Sequence, residues 1–278
     1  MRGVIGVSLG PSIAASVTAT GTGLGPIVFA AVALVAVAVL GGTWWFVHRL
    51  GLSRAAACLT AMPGGLSMLL SMADGISDRT LVLLVHTVRV VIVIVSISLL
   101  ARALGVPPES RTVLSTLEVG RAGDWPVVVG LIGLFFAVCE RLRFPGVHVI
   151  LTMGVTGLLV GLTPLAVHEP ELLKSIAMLV LGVVLGIEVA QGERGRYLAT
   201  FSSSTAYTLV VMALGAMAAF GLASRVDAPF LVLFLAFAPG GIAEVSLVAL
   251  ALGLDAGLVA LVPGARFLFI VPAGPLGT

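Results

Sequence analysis

In a bilayer core only helices and closed barrels can satisfy their own backbone, yet this sequence interrupts two of its apolar runs, and in the same way. The stretch AMPGGLSMLLSMADGISDRTLVLLVHTVR, residues 61–89, returns as APGGIAEVSLVALALGLDAGLVALVPGAR, residues 238–266. Each carries Pro-Gly-Gly inside an apolar run, then an aspartate (Asp78, Asp255), then an arginine eleven residues further on (Arg89, Arg266). One such arginine is hard to explain alone, and two in matching places imply a shared task.

Composition makes the membrane reading firm. The 278 residues are 59% hydrophobic and only 10% charged, with a mean hydropathy of +1.19, whereas soluble domains are about 25% charged. Apolar runs of spanning length recur throughout, so the expectation is one polytopic, all-α transmembrane bundle without a soluble module. The net charge of +2 is spread thinly and offers no nucleic-acid patch. Cys58 and Cys139 lie in apolar segments without metal-ligand or Cys-x-x-Cys spacing, so neither a disulfide, a metal site nor a cofactor is expected. The first twenty residues resemble a signal peptide superficially, but their pattern reappears in mid-chain, which argues against one.

That reappearance fixes a register. Residues 5–10, IGVSLG, match residues 181–186, LGVVLG, at an offset of 176, as do the two Pro-Gly-Gly triplets; the aspartates and arginines match at 177. Such regularity points to duplication. The expected helices are 3–20, 26–48, 55–73 with the first triplet, and 80–102, then 126–140, 146–165, 173–190, 205–224, 229–252 with the second triplet, and 256–274. This gives about 9–10 membrane elements, arranged as a first copy over 1–104, a polar connection over 105–125 and a second copy over 126–278. Helices 126–140 and 146–165 have no counterpart ahead of residue 3, so the chain reads as N-terminally short by about two helices. Trp44, Trp45 and Trp125 fall at expected helix ends, where interfacial aromatics belong.

Orientation stays open. If each Pro-Gly-Gly element crosses the membrane the copies are parallel, and if it is re-entrant or broken they are inverted. The positive-inside rule does not decide, because with the loop between helices 3–20 and 26–48 placed outside, both arrangements put eight of thirteen non-membrane Lys and Arg residues inside and five outside.

The candidate site is built from the repeated residues. Proline removes a helix hydrogen bond and two glycines free the backbone, so Pro63-Gly64-Gly65 and Pro239-Gly240-Gly241 should break their helices. A break creates a new helix N-terminus with free N–H groups, which suits an anion. Asp78 and Asp255 stand where helices begin and read as N-caps. Eleven residues further on, about 16 Å along the axis, Arg89 and Arg266 fall near mid-membrane, where a charge is costly and functional by default; the competing reading is a structural ion pair or a cap on carbonyls of the broken helix. Glu244, five residues after Pro239, matches Met68 in the first copy, an asymmetry that suits proton or cation coupling or a partner for an arginine. His86 shares the Arg89 face and reads equally as packing. The GxxxG pairs Gly6/Gly10, Gly157/Gly161 and Gly182/Gly186 read as close helix packing.

LSRAAACLTAMPGGLSMLL with LVLLVHTVR, FLAFAPGGIAEVSLVALALGLD with its later arginine, and RLRFPGVHVIL resemble the AbrB family of bacterial inner-membrane proteins over nearly the whole chain. That family is duplicated, often labelled ammonia monooxygenase, and unrelated to the DNA-binding regulator of the same name. Its similarity to cation/proton antiporters and anion symporters with crossed, broken helices implies the inverted arrangement. Met68 replaces the acid the resemblance implies there, and one residue is missing between Pro63 and Asp78.

The function expected is a secondary transporter of a small, anionic solute in the multi-pass plasma membrane, with the solute between the two breaks and Glu244 coupling. Its partners would be the lipid bilayer, the solute and, left open, a homo-oligomeric copy; nucleic acid is not among them. A non-transporting regulator or scaffold is the alternative. An enzyme is not expected, because oxygen chemistry on ammonia needs clustered copper or iron ligands, and the histidines at 48, 86, 148 and 168 are scattered.

Overall fold

The computed structural model describes residues 24–63, 78–105, 197–226 and 228–273, with isolated positions between 130 and 187. Gly64, Gly65, Met68, Cys139, Trp125, the GxxxG pairs and the helices expected at 3–20, 126–140, 146–165 and 173–190 lie outside those residues, isolated positions apart. Among the described residues there are seven helices and no strand: α1 (Leu24–Leu50), α2 (Arg54–Ala61), α3 (Arg79–Ala103), α4 (Tyr197–Ala223), α5 (Phe230–Phe237), α6 (Ile242–Ala251) and α7 (Ala256–Ala273). Three of them, α1, α3 and α4, are long and apolar enough to cross a membrane. Phe29, Leu40 and Phe220 stand exposed on α1 and α4, as lipid-facing side chains do.

The expected helices at 26–48, 80–102 and 256–274 agree with α1, α3 and α7 within a few residues. The start expected at 205 needs correcting: α4 is already helical at Tyr197, because the polar run Ser202 to Thr205 is helical. Ser202 and Thr205 donate back to the carbonyls of Ala199 and Phe201 at 3.1 and 2.7 Å, so their hydroxyls are satisfied within the helix. Within the elements expected at 55–73 and 229–252, α2 stops at Ala61, and α5 is separated from α6 at Ala238–Gly241, the stretch that holds the second triplet.

Element lengths pair off across the chain. Helices α1 and α4 end 173 residues apart, at Leu50 and Ala223, and α2 and α5 both have 8 residues with starts and ends 176 apart. The long helices therefore do not keep the offset of 176; three extra residues in the α4–α5 connection restore it. Packing pairs off as well. Each long helix lies on its own short helix, α1 on α2 and α4 on α5, while α3 packs on α4 and α7 packs on α1.

Two contacts fix directions. Trp45 Nε1 donates to Ser203 Oγ at 2.9 Å, and Tyr207 Oη donates to the Ala38 carbonyl at 2.8 Å. Positions descend on α1 as they ascend on α4, so the two helices are antiparallel. At the end of α1, Gly51 takes φ 66° to turn the chain into α2, and the Ser53 hydroxyl caps α2 by accepting from the Ala56 amide. The Ser53 amide in turn donates to Asp78 Oδ2 at 3.4 Å. Helices α2 and α3 therefore start at the same face, and the chain that leaves that face in α2 has returned to it at Asp78.

Among the described glycines, Gly42 is the most tightly packed. A Cβ there would lie 2.5 Å from Tyr207 Oη and 2.6 Å from Ala61 Cβ, so only glycine lets α1, α2 and α4 approach this closely. Its counterpart 173 residues on, Gly215, faces Phe237, the counterpart of Ala61, at 3.4 Å.

Candidate functional site between two helix breaks

A helix leaves its last four carbonyls without intrahelical donors, and at membrane depth no bulk water replaces them. Helices α2 and α5 both end inside the bundle, with Met62 and Ala238 buried. Met62 and Ala238 close them with extended ψ of 126° and 143°. The carbonyls freed there are taken by arginine. Arg89 donates through its two Nη atoms to Thr60 O (3.4 Å) and Met62 O (3.1 Å). Arg266 does the same to Ala236 O (3.1 Å) and Ala238 O (3.4 and 3.3 Å). Thr60 and Ala236, and Met62 and Ala238, are 176 apart, so the two caps are equivalent down to the individual carbonyl. The guanidinium fork suits this work, being planar, permanently charged and rich in donors, and the negative end of each helix dipole favours it.

Both side chains are sealed from solvent, at 1% and 3% exposure. Of the readings open from the sequence, the carbonyl cap is thus what the Nη atoms perform, at the C-terminal end of the half-helix before each break. Among the described residues, neither Nε atom has a hydrogen-bond partner.

The other candidates divide. Glu244 occupies the first turn of α6, is buried, and lies within electrostatic reach of Arg89 on α3, which α6 touches. His86 is buried with Nε2 3.2 Å from the Met62 carbonyl, the same oxygen that Arg89 holds, and Nδ1 3.2 Å from Val82 O. A neutral imidazole donates to only one of these oxygens. Asp255 caps α7 as expected, accepting from the Leu258 amide at 3.0 Å. Asp78 stands at the matching position but makes no side-chain bond to its own helix, because its carboxylate is turned to Ser53.

Between the breaks lies a cavity of about 10 Å³, room for about one water molecule. Its walls come in offset-related pairs: Pro63 with Pro239, Ala61 with Phe237, and Leu34 with Tyr207. Arg266 also lines it. The cavity is therefore lined both by residues 34–63 and by residues 207–266. Sequence reasoning missed Tyr207, whose hydroxyl closes one wall through Ala38, and Gly42, which seats it. No local pattern marks either residue, because their partners are far away in the chain.

A family model described as "Transition state regulatory protein AbrB" matches residues 1–278. The chain belongs to the AbrB family. Its match spans both Pro-Gly-Gly triplets and both arginines, and this AbrB-family chain carries membrane-length helices, so the regulatory wording of that description is not assigned to it. No curated protein and no solved structure matches it.

Proposed function

We propose that this AbrB-family chain is a secondary transporter, not an enzyme, whose solute passes between the two Pro-Gly-Gly breaks. The observation that carries the reading is the cavity bordered by Pro63 from one half and Pro239 from the other. Irregular backbone at membrane depth is tolerated where it is buried in protein or lines a cavity, and transporters of this plan bind at the repeat interface near the midplane. The antiparallel setting of α1 and α4 and the return of the chain to one face at Asp78 support an inverted duplication, in which each half sends a broken element to the middle from opposite faces. Glu244, present in one half only, is the coupling carboxylate of this reading, and the compartment is the bacterial plasma membrane.

Transport tests it. Full-length protein in proteoliposomes is assayed for uptake of a labelled panel of small acids, amines and neutral solutes, with Arg89→Ala, Arg266→Ala and Glu244→Gln alongside. The reading expects one class of solute to accumulate and all three variants to fall by about tenfold or more, as loss of a charge-assisted contact of roughly 1.4 kcal/mol or more requires. No accumulation in the wild type, or unchanged transport in all three variants, sinks it.

A further inference from the structure

Helix α4 changes character halfway along the face it turns inward. Thr200, Ser203, Ser204, Tyr207 and Thr208, spaced three and four apart, are all buried, while Leu198, Phe201, Leu209 and Val210 stand exposed. Beyond Thr208 the buried face becomes apolar, with Val211, Met212 and Ala219. From Thr200 to Thr208 the polar stripe runs about 12 Å along the axis. Its deep end is Tyr207, which lines the cavity between Pro63 and Pro239 and lies within electrostatic reach of Arg89. Ser204 ties the stripe to α3 by donating to the Val85 carbonyl. Thr200 and Thr208 lie one turn to either side, and among the described residues their buried hydroxyls have no hydrogen-bond partner.

Packing does not require these hydroxyls. At the offset of 173, which relates Gly42 to Gly215 and Leu34 to Tyr207, the counterparts of Thr200, Ser204, Tyr207 and Thr208 on α1 are Ile27, Ala31, Leu34 and Val35. All four are buried as well, and all four belong to apolar clusters. The same place in the arrangement is thus filled by hydroxyls on α4 and by hydrocarbon on α1. Buried polar groups are kept at a cost unless something pairs with them, and internal water is the usual partner where protein atoms do not serve.

We propose that the stripe is a water-bearing access route along the seam of α3 and α4, joining the cavity to the face that holds Ser53. The side follows from the Trp45 bond to Ser203, which sets the start of α4 beside the end of α1, where the chain turns into α2 at Ser53. The proposal rests on the reading of the cavity as the solute site and names the side from which that site is wetted.

Cysteine accessibility in proteoliposomes tests it, using the full chain with Cys58 and Cys139 replaced. A hydrophilic, membrane-impermeant methanethiosulfonate reacts with thiolate, which forms where the thiol meets water. Thr200→Cys, Ser204→Cys and Thr208→Cys are expected to react from the side that labels Ser53→Cys, about tenfold or more faster than Ile27→Cys, Ala31→Cys, Val35→Cys and the lipid-facing Phe201→Cys. Radiolytic hydroxyl labelling of the wild type decides the matter where the variants do not fold: Tyr207, beside water, should be oxidised well above Phe234, which is buried in an apolar cluster. No reaction at positions 204 and 208, reaction only from the side of Arg225→Cys, equal rates on α1, or Tyr207 oxidised no more than Phe234 overturns the proposal. Transport of a solute without such accessibility sinks the route and leaves the transporter reading standing. Accessibility without transport keeps the route and sinks that reading.

Discussion

Ser53 and Asp78, 25 residues apart, meet at one face of the bundle, where the Ser53 amide donates to Asp78 Oδ2 at 3.4 Å. The N-cap of α2 and the start of α3 are therefore neighbours, and together with the antiparallel α1 and α4 this places the α1–α2 and α4–α5 turns on opposite faces. Single cysteines at Ser53 and Arg225, in a background with Cys58 and Cys139 replaced, should react with a membrane-impermeant thiol reagent from opposite sides. A cysteine at Asp78 should share the sidedness of Ser53. Labelling of positions 53 and 225 from the same side would contradict this arrangement.

Gly42 and Gly41 are adjacent in sequence and opposite in consequence. Gly42→Ala forces a Cβ against Tyr207 and Ala61 and should destabilise the fold by about 1–3 kcal/mol, the usual cost of overpacking. At Gly41 nothing lies within 4 Å, and alanine there should gain up to about 1 kcal/mol of helix propensity. Gly215→Ala, with Phe237 at 3.4 Å, should stay within about 0.5 kcal/mol. Unfolding followed by a steric-trap or thermal assay in detergent ranks the three.

Lysine keeps the charge of either arginine but not its fork. Arg89→Lys and Arg266→Lys should each lose at least one carbonyl contact, about 1.5–3 kcal/mol for a hydrogen bond to a charged group. The two losses should be similar because the caps are equivalent. A lysine variant as stable as wild type would mean that the carbonyls have other donors.

Tyr207→Phe removes the hydroxyl that reaches Ala38 across 169 residues. The expected cost is modest, about 0.5–1.5 kcal/mol, because the ring still packs edge-on against Phe46. A larger effect on transport rate than on Tm would identify the hydroxyl as a latch on the cavity wall.

Much of this was legible in the sequence because the signals are local. Pro-Gly-Gly in an apolar run announces its own break, and the spacing from Asp255 to Arg266 places an arginine at depth whatever lies around it. The ends of α1, α3 and α7 were equally readable from apolar length. What could not be read was relational. A re-entrant element and a crossing one have the same hydrophobic pattern, so the sequence does not say that Asp78 comes to lie beside Ser53. The arginine partners are backbone carbonyls, which every residue carries and no motif reports. The polar run Ser202 to Thr205 did not read as helix because its hydroxyls find their partners, the carbonyls of Ala199, Phe201 and Val85 and the Trp45 indole, only once the helix exists and is packed.

The crossed packing of α3 on α4 also sets an order of events during synthesis. Ser204 donates to Val85, which was made 119 residues earlier. At roughly 5–20 residues per second, α3 waits on the order of ten seconds before α4 arrives to cover it. A bare guanidinium in lipid for that time would be a serious liability. The carbonyls that Arg89 needs, those of Thr60 and Met62, are already present upstream, so the nascent segment can hydrogen-bond its own arginine before α4 has been translated.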